Sequence, residues 1–172
     1  GDINDYHNLK KHIEDEDPDV IFHLASQPLV RDSYMDPMYT FETNIIGTVN
    51  LLEIVKRCKR LKSLLIVTSD KCYLNENLGK EFNETDKLGG NDPYSASKAC
   101  QEIVTLSYLN SYFGKNREFE NVNVATVRAG NIIGGGDWSK ERLVPDIMRS
   151  IFEEKKIIIR SPDSTRPWQY IL

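Results

Sequence analysis

Leu64-Leu65-Ile66-Val67-Thr68-Ser69-Asp70 begins as four bulky apolar residues and then turns abruptly polar. A short continuous apolar run of this kind matches a strand of a buried parallel sheet, where both faces are covered and polar residues do not alternate. Asp19–Ala25 (DVIFHLA) and Val122–Ala129 (VNVATVRA) share the design. Between the three runs lie helical rhythms. Asp36 to Lys59 carries Phe41, Ile45, Val49, Leu52 and Val55, and Tyr94 to Phe113 carries Ile103, Val104, Leu106, Leu109 and Phe113. The order strand–helix–strand–helix–strand predicts an α/β fold, a doubly wound parallel sheet with right-handed crossovers and helices on both faces. Ligands of such sheets lie at the carboxyl ends of the strands. The three runs end in His23-Leu24-Ala25-Ser26-Gln27, Thr68-Ser69-Asp70-Lys71 and Arg128-Ala129-Gly130-Asn131, all rich in reactive groups.

Composition narrows the classes. With 172 residues, 40% of them hydrophobic and 28% charged, the chain suits one ordinary domain with a core and a charged surface. A net charge of −4 argues against nucleic acid as a partner, because phosphate backbones select basic faces. No apolar run approaches the length needed to span a bilayer, so no membrane partner is expected. Cys58, Cys72 and Cys100 are odd in number, widely spaced and without a CxxC pair, which suits free thiols in a reducing compartment. Cytoplasmic location is the expectation, and no metal site is expected. The chain starts without Met and stops within the apolar run Gln169-Tyr170-Ile171-Leu172, so a fragment is expected. After Asn131 the character changes: a Gly134-Gly135-Gly136 loop, an amphipathic helix from Arg142 to Glu154, and a short strand over Lys156–Arg160. A soft boundary therefore divides residues 1–131 from 132–172.

Four stretches carry chemistry. In Asp92-Pro93-Tyr94-Ser95-Ala96-Ser97-Lys98, Asp92 suits an N-cap and Pro93 the first helical turn. Tyr94 and Lys98 then share one helix face at i and i+4. A neighbouring ammonium favours the phenolate, which suits Tyr94 to acid/base work on a hydroxyl. The same spacing also arises at ordinary exposed helix starts. Ser69-Asp70-Lys71 brings a hydroxyl, a carboxyl and an amine to a strand's end, or is merely a polar turn. In Arg128 to Trp138, the glycines allow close backbone approach and Asn131 can donate to a phosphate oxygen, while Arg128 reads better as an ion-pair partner. Arg166-Pro167-Trp168 offers a guanidinium able to grip a diphosphate, or a surface charge.

Together and in this order, these stretches resemble the extended short-chain dehydrogenase/reductase family. TSDKCY, DPYSASK, RAGNIIGGGDW, RLVPDI, RPWQ and FHLASQPLVRDSYMDPMYTFETNIIGTVNLLE closely resemble its CDP-glucose 4,6-dehydratase subgroup, and the resemblance covers essentially the whole chain. It implies a Rossmann-type fold truncated at the N-terminus. Residues 1–131 would be a partial NAD-binding domain lacking the first βαβ unit and its Gly-rich loop, and 132–172 the start of a nucleotide-sugar-binding part. It implies conversion of CDP-D-glucose to CDP-4-keto-6-deoxy-D-glucose and water with NAD regenerated, for deoxysugar and O-antigen-type polysaccharide biosynthesis.

The resemblance also implies roles. Ser69, Asp70, Lys71, Tyr94 and Lys98 would be catalytic. Asp2, Ile3, Ala25, Ser26, Gln27, Asn44, Thr68, Tyr94 and Lys98 would line the NAD site. Asn131, Arg142, Leu143 and Arg166 would hold the nucleotide diphosphate. Dehydratases of the family usually show Asp-Glu where this chain has Asp70-Lys71, so a lysine would remove the C5 proton. A homodimer is expected of the full-length protein, and weak or absent NAD binding of the isolated 172 residues. Another nucleotide-sugar dehydratase or a 4-epimerase of the same family remains open, as does a non-catalytic dinucleotide-binding protein on the same fold.

Overall fold

A parallel three-stranded sheet in the order β1-β2-β3 organises the first part of the chain. The computed structural model describes residues 1–76, 79 and 81–171. β1 spans Val20–His23, β2 Ser63–Val67 and β3 Asn123–Val127, in register Ile21↔Leu64↔Val124 and His23↔Ile66↔Thr126. The paired residues of one register row point to one face. That face is the buried one: Leu64 and Ile66 pack with Leu51, Leu52 and Val55 of α4 (Gly47–Val55) and with Phe113, Val122 and Val124. Each fully buried side chain of this size contributes about 1.5–3 kcal/mol.

The expected burial on both faces holds for one row only. Val20 and Phe22 on the other row are 48% and 62% exposed, and Val127 is exposed too. The apolar character of these strands reports what a second layer would cover; the described helices of this core pack on the Leu64/Ile66 side.

Four helices precede the second half of the unit. α1 (Tyr6–Glu16) was not anticipated: its apolar stripe is short, Tyr6, Leu9 and Ile13, and only half-buried, with Ile13 leaning on the core. Its caps are local, with Asp5 accepting from the Asn8 N–H and Asp17 closing it in a left-handed conformation. α2 (Val30–Met35) was also not anticipated. The long stretch from Asp36 is divided into α3 (Pro37–Phe41), a π-helical turn over Glu42–Ile46, and α4. α5 (Pro93–Tyr108) likewise ends in a π-helical turn, Leu109–Phe113. No helix among the described residues is long and apolar enough to cross a membrane.

The chain divides into two compact units, Gly1–Arg128 and Ala129–Leu172. In the second, β4 (Asn131–Ile133) pairs in parallel with β5 (Trp168–Tyr170), and α6 spans Leu143–Phe152. A Cβ on Gly134 would lie 2.7 Å from Ile171 Cγ2, so this glycine serves the chain's own packing. Residues 156–160 form no strand, contrary to expectation. The parallel partner of β4 is Trp168–Tyr170 instead, while Arg160 is drawn into ion pairs with Glu141 and Asp146. Leu172 lies outside the described residues.

Candidate active site

The first turn of α5 is built to hold Tyr94 in place. The four leading N–H groups of a helix lack internal partners. Here Pro93 has none to satisfy, the Ser95 N–H donates to Asp92 Oδ1 at 2.9 Å, and Ala96 N–H to the Asp92 carbonyl at 2.9 Å. The Tyr94 N–H reaches a residue 61 positions away, Ser33 Oγ of α2, at 3.1 Å. The Tyr94 carbonyl accepts from Ser97 Oγ at 2.7 Å, and Ser97 Oγ accepts from Asn44 Nδ2 at 2.8 Å. Both peptide groups of Tyr94 are therefore anchored by buried partners. Gly90 backs this turn so closely that a Cβ there would lie 2.4 Å from Ala96 N.

Lys98, 2% exposed, lies one turn later. Its ammonium donates to Gln101 Oε1 at 3.0 Å and to the carbonyl of Val67, the last residue of β2, at 3.4 Å. This contact brings the α5 lysine to the strand end that delivers Ser69. Burial pushes Lys98 down to about 8, with Glu102 pulling the other way. Behind Lys98, Gln101 Nε2 donates to Thr48 Oγ1 at 2.8 Å, which also contacts His23 Nε2 at 3.0 Å. Burial foremost, then the Lys98 charge, lowers His23 to about 4.

At the end of β2, Ser69 Oγ caps a single 3-10 turn, Asp70–Cys72: it accepts from the Lys71 N–H at 3.2 Å and donates to Asp70 Oδ1 at 3.1 Å. That turn packs against α5. Thr68, by contrast, is spent inside the protein. Its hydroxyl donates to Glu102, a buried carboxylate that also accepts from Thr126 Oγ1 and from Arg128 Nη2, both at 2.9 Å. Arg128 is thus the ion-pair partner that its context suggested. Its other arm meets Tyr73 OH at 3.0 Å and the Glu84 carbonyl at 3.2 Å.

The remaining expected cofactor residues fall into two sets. Asn44 is fully buried, and its amide is committed to the Gln27 N–H, the Gln27 carbonyl and Ser97. Gln27 in turn folds back on Leu29 and Thr40. These two shape the loop after β1 from within, while Ala25 is exposed and Ser26 half-buried on it. Asp2 is exposed and caps its own turn through the Asn4 N–H. Ile3 packs where Gly47 leaves no room for a Cβ, 2.6 Å away, and its carbonyl accepts from Asn50. In the second unit the Asn131 N–H bonds the Pro167 carbonyl, which sets Asn131 beside the Arg166-Pro167 segment. Arg166 is exposed and donates to the Thr165 carbonyl. Arg142 caps α6 by position and pairs with Asp137 at 3.6 Å, and Leu143 opens that helix, exposed. Among the described residues no group of three or more His, Cys, Asp or Glu is placed to hold a metal ion.

A family model described as GDP-mannose 4,6 dehydratase matches residues 1–171. The chain belongs to this family. It is 49% identical to the CDP-glucose 4,6-dehydratase of Salmonella typhimurium over 100% of this chain and 48% of that protein. The dTDP-glucose 4,6-dehydratase of Bacillus anthracis, solved in complex with NAD, is 29% identical with a TM-score of 0.77, covering 99% of this chain and 49% of the other. A double mutant of the Streptomyces venezuelae dTDP-glucose 4,6-dehydratase, solved with NAD and DAU bound, matches with a TM-score of 0.84 at 24% identity, over 99% and 49% of the two chains. The fold is accordingly the Rossmann-type sheet of the extended short-chain dehydrogenase/reductases. The chain spans about half the length of the curated relatives it matches.

Within this GDP-mannose 4,6 dehydratase family chain, sequence reasoning missed Ser33, Thr48, Gln101 and Glu102. One signal was available: Lys98, Gln101, Glu102 and Thr105 are polar residues at i, i+3, i+4 and i+7, the phase of a core-facing stripe. Polar groups at core phases are buried only when satisfied, so they mark a network. His23 supplies a test. In the unfolded chain it takes a proton near pH 6.5, but the folded chain refuses it until about pH 4. The stability this confers is present above pH 6.5 and lost as pH falls toward 4, by about 2–3 kcal/mol at pH 4.5. Denaturant unfolding at pH 7 and 4.5 should show His23→Gln lacking that share of the loss; an unchanged difference would refute a neutral buried His23.

Proposed function

We propose that the full-length protein is an NAD-dependent nucleotide-sugar 4,6-dehydratase acting on CDP-glucose. The single observation that carries this reading is the convergence on α5 of an anchored Tyr94 and a buried Lys98 whose ammonium touches the end of β2. The kinship with a CDP-glucose 4,6-dehydratase at 49% identity supports the substrate. Residues 1–131 are then a partial NAD-binding domain, and 132–172 the start of the part that holds the nucleotide.

The donor set fits the cofactor. An ammonium has three N–H donors, two of which Lys98 gives to fixed carbonyl oxygens, so the third suits a ribose hydroxyl. Ala25 and Ser26 line the loop after β1 for the phosphates and ribose, with Gln27, Asn44 and Thr68 setting the shape of that loop and strand end from behind. Asp2 and Ile3 flank the adenine. Bound NAD would supply a hydride acceptor for the sugar C4 and, after water has left, a hydride donor for C6, while C5 regains a proton. Tyr94 removes the proton of the 4-hydroxyl, assisted by the positive charge of Lys98, while Ser69 steadies the C4 oxygen. The C4 ketone acidifies C5–H. Lys71 takes that proton and Asp70 protonates the departing 6-hydroxyl, so water leaves. Asn131, Arg142, Leu143 and Arg166 bind the nucleotide diphosphate, the arginines by charge-assisted hydrogen bonds. Met35, Met38, Ile103 and Leu106, exposed on helices of the first unit, support a homodimer.

Full-length protein incubated with CDP-glucose and NAD in deuterated water is expected to yield a 4-keto-6-deoxy sugar that absorbs in the ultraviolet after alkali treatment, with deuterium at C5. A 4-epimerase would give a CDP-hexose without C5 deuterium, and a binding protein no product. Either result would sink the dehydratase reading.

A further inference from the structure

We propose that Gln101 is a positioning residue for Lys98, presenting a fixed carbonyl oxygen to its ammonium at the end of a buried hydrogen-bond chain drawn from β1, the π turn, α4 and α5. The proposal rests on the reading that Lys98 assists Tyr94, and it names the device that holds the lysine.

The chain has one possible polarity. Gln101 is fully buried, so its amide must be satisfied inside the protein. Thr48 Oγ1 has a single proton, and the Asn44 carbonyl lies 2.8 Å away to receive it. Thr48 is then an acceptor toward its other two neighbours. The Gln101 NH2 must therefore face Thr48, at 2.8 Å, and its oxygen must face Lys98, at 3.0 Å. A flipped amide would set its NH2 against the ammonium and its oxygen against a hydroxyl with no proton left. The same reasoning puts the His23 proton on Nε2, 3.0 Å from Thr48 Oγ1. Every member is buried: His23, Thr48, Gln101 and Lys98. The orientation is locked by backbone, because Thr48 is tied to the Asn44 carbonyl.

This arrangement answers two problems of a buried lysine. A four-carbon stem has many rotamers, and a fixed acceptor selects one. Burial also disfavours the charged form, bringing Lys98 to about 8, close to working pH. A neutral carbonyl oxygen favours the ammonium without cancelling the positive field that Tyr94 needs. A carboxylate at 101 would favour the ammonium more strongly yet offset that field. Among the described residues, the charged or titratable groups around Lys98 include Glu102 and Tyr94 on α5, neutral His23 from β1, Asp70, Lys71 and the buried Cys72 on the 3-10 turn packed against α5, and Arg128 of the Glu102 pair. Nothing in a purely space-filling role for Gln101 would make the lysine's titration follow the charge at position 101.

The experiment uses full-length protein bearing Gln101→Met, Gln101→Glu or Thr48→Val, the last freeing the Gln101 amide without touching α5. Lys98 is titrated by NMR of 13Cε-labelled lysine in cofactor-free protein, its signal assigned by loss in Lys98→Met. Removing a hydrogen bond to a charged group is expected to lower the Lys98 midpoint by about one pH unit in Gln101→Met and by less in Thr48→Val; Gln101→Glu should raise it. The high-pH limb of kcat should move with the midpoint, while the KM for sugar nucleotide stays within about twofold. A midpoint that stays put in Gln101→Met and Gln101→Glu, or moves the same way in both, overturns the proposal; if one variant fails to fold, Thr48→Val and the other still decide it. A midpoint that moves as expected while the kcat profile does not would instead uphold Gln101's hold on Lys98 and refute the catalytic reading of the lysine.

Discussion

Arg128→Met is expected to lower the unfolding free energy by about 3–5 kcal/mol, because removing one partner of a buried ion pair leaves an uncompensated charge. Glu102 is 4% exposed and lies at the meeting point of β2, β3 and α5. Among the described residues, its neutral donors are the Thr68 and Thr126 hydroxyls, and Arg128 is the charged one. The guanidinium also lies over the Tyr73 ring at 4.9 Å and bonds the Glu84 carbonyl, so its loss loosens the loop after the 3-10 turn as well. Urea unfolding at neutral pH checks the figure. Two controls separate charge from packing. Lowering the pH, which protonates the stranded carboxyl, should relieve part of the loss, and adding Glu102→Gln to Arg128→Met should restore much of it. A loss below about 1 kcal/mol would mean that water reaches Glu102 and that the pair is a surface pair in energetic terms.

The second large effect concerns chemistry. Tyr94→Phe in the full-length protein is expected to cut kcat by about 10²–10⁴, the range for loss of a general acid/base. The fold should survive, because both peptide groups of this residue are anchored, by Ser33 and by Ser97, and the substitution leaves those anchors in place. Steady-state rates on CDP-glucose, paired with thermal unfolding, make the test: an unchanged melting temperature with a lost rate supports the assignment, and a rate within tenfold of the parent removes Tyr94 from the mechanism. A product-specific assay at several pH values guards against a mere shift of the optimum.

Much of this was legible before any coordinates. Asp92 and Pro93 announced the start of α5 through chemistry that acts within four residues: a carboxylate able to accept the N3 amide, and a ring that needs no partner. The three parallel strands were visible because each is a short apolar run closed by polar residues. The i, i+4 pairing of Tyr94 and Lys98 followed from helical geometry alone. By contrast, Lys156–Arg160 was legible only as an apolar run of strand length. Whether such a run pairs depends on which partner lies alongside, and Trp168–Tyr170 took the place beside β4. The helix α1 escaped notice because its stripe is only Tyr6, Leu9 and Ile13, half-buried among polar residues, and the rest of its support is capping.

The amino-acid sequence by itself determined the element order, the parallel sheet, the capped start of α5 and the set of reactive residues at the strand ends. All of these depend on interactions spanning a few residues or on the mean polarity of a run. Only the tertiary structure decided which side chains are committed and to whom: that Ser33 holds the Tyr94 amide across 61 positions, that Asn44 and Gln27 support a loop from within, that Thr68 serves Glu102, and that Gln101 meets Lys98 with Thr48 behind it. The reason is physical. A buried polar group must find a partner, but hydrogen bonding is short-ranged and indifferent to separation along the chain, so the partner is chosen by how the helices pack on the sheet.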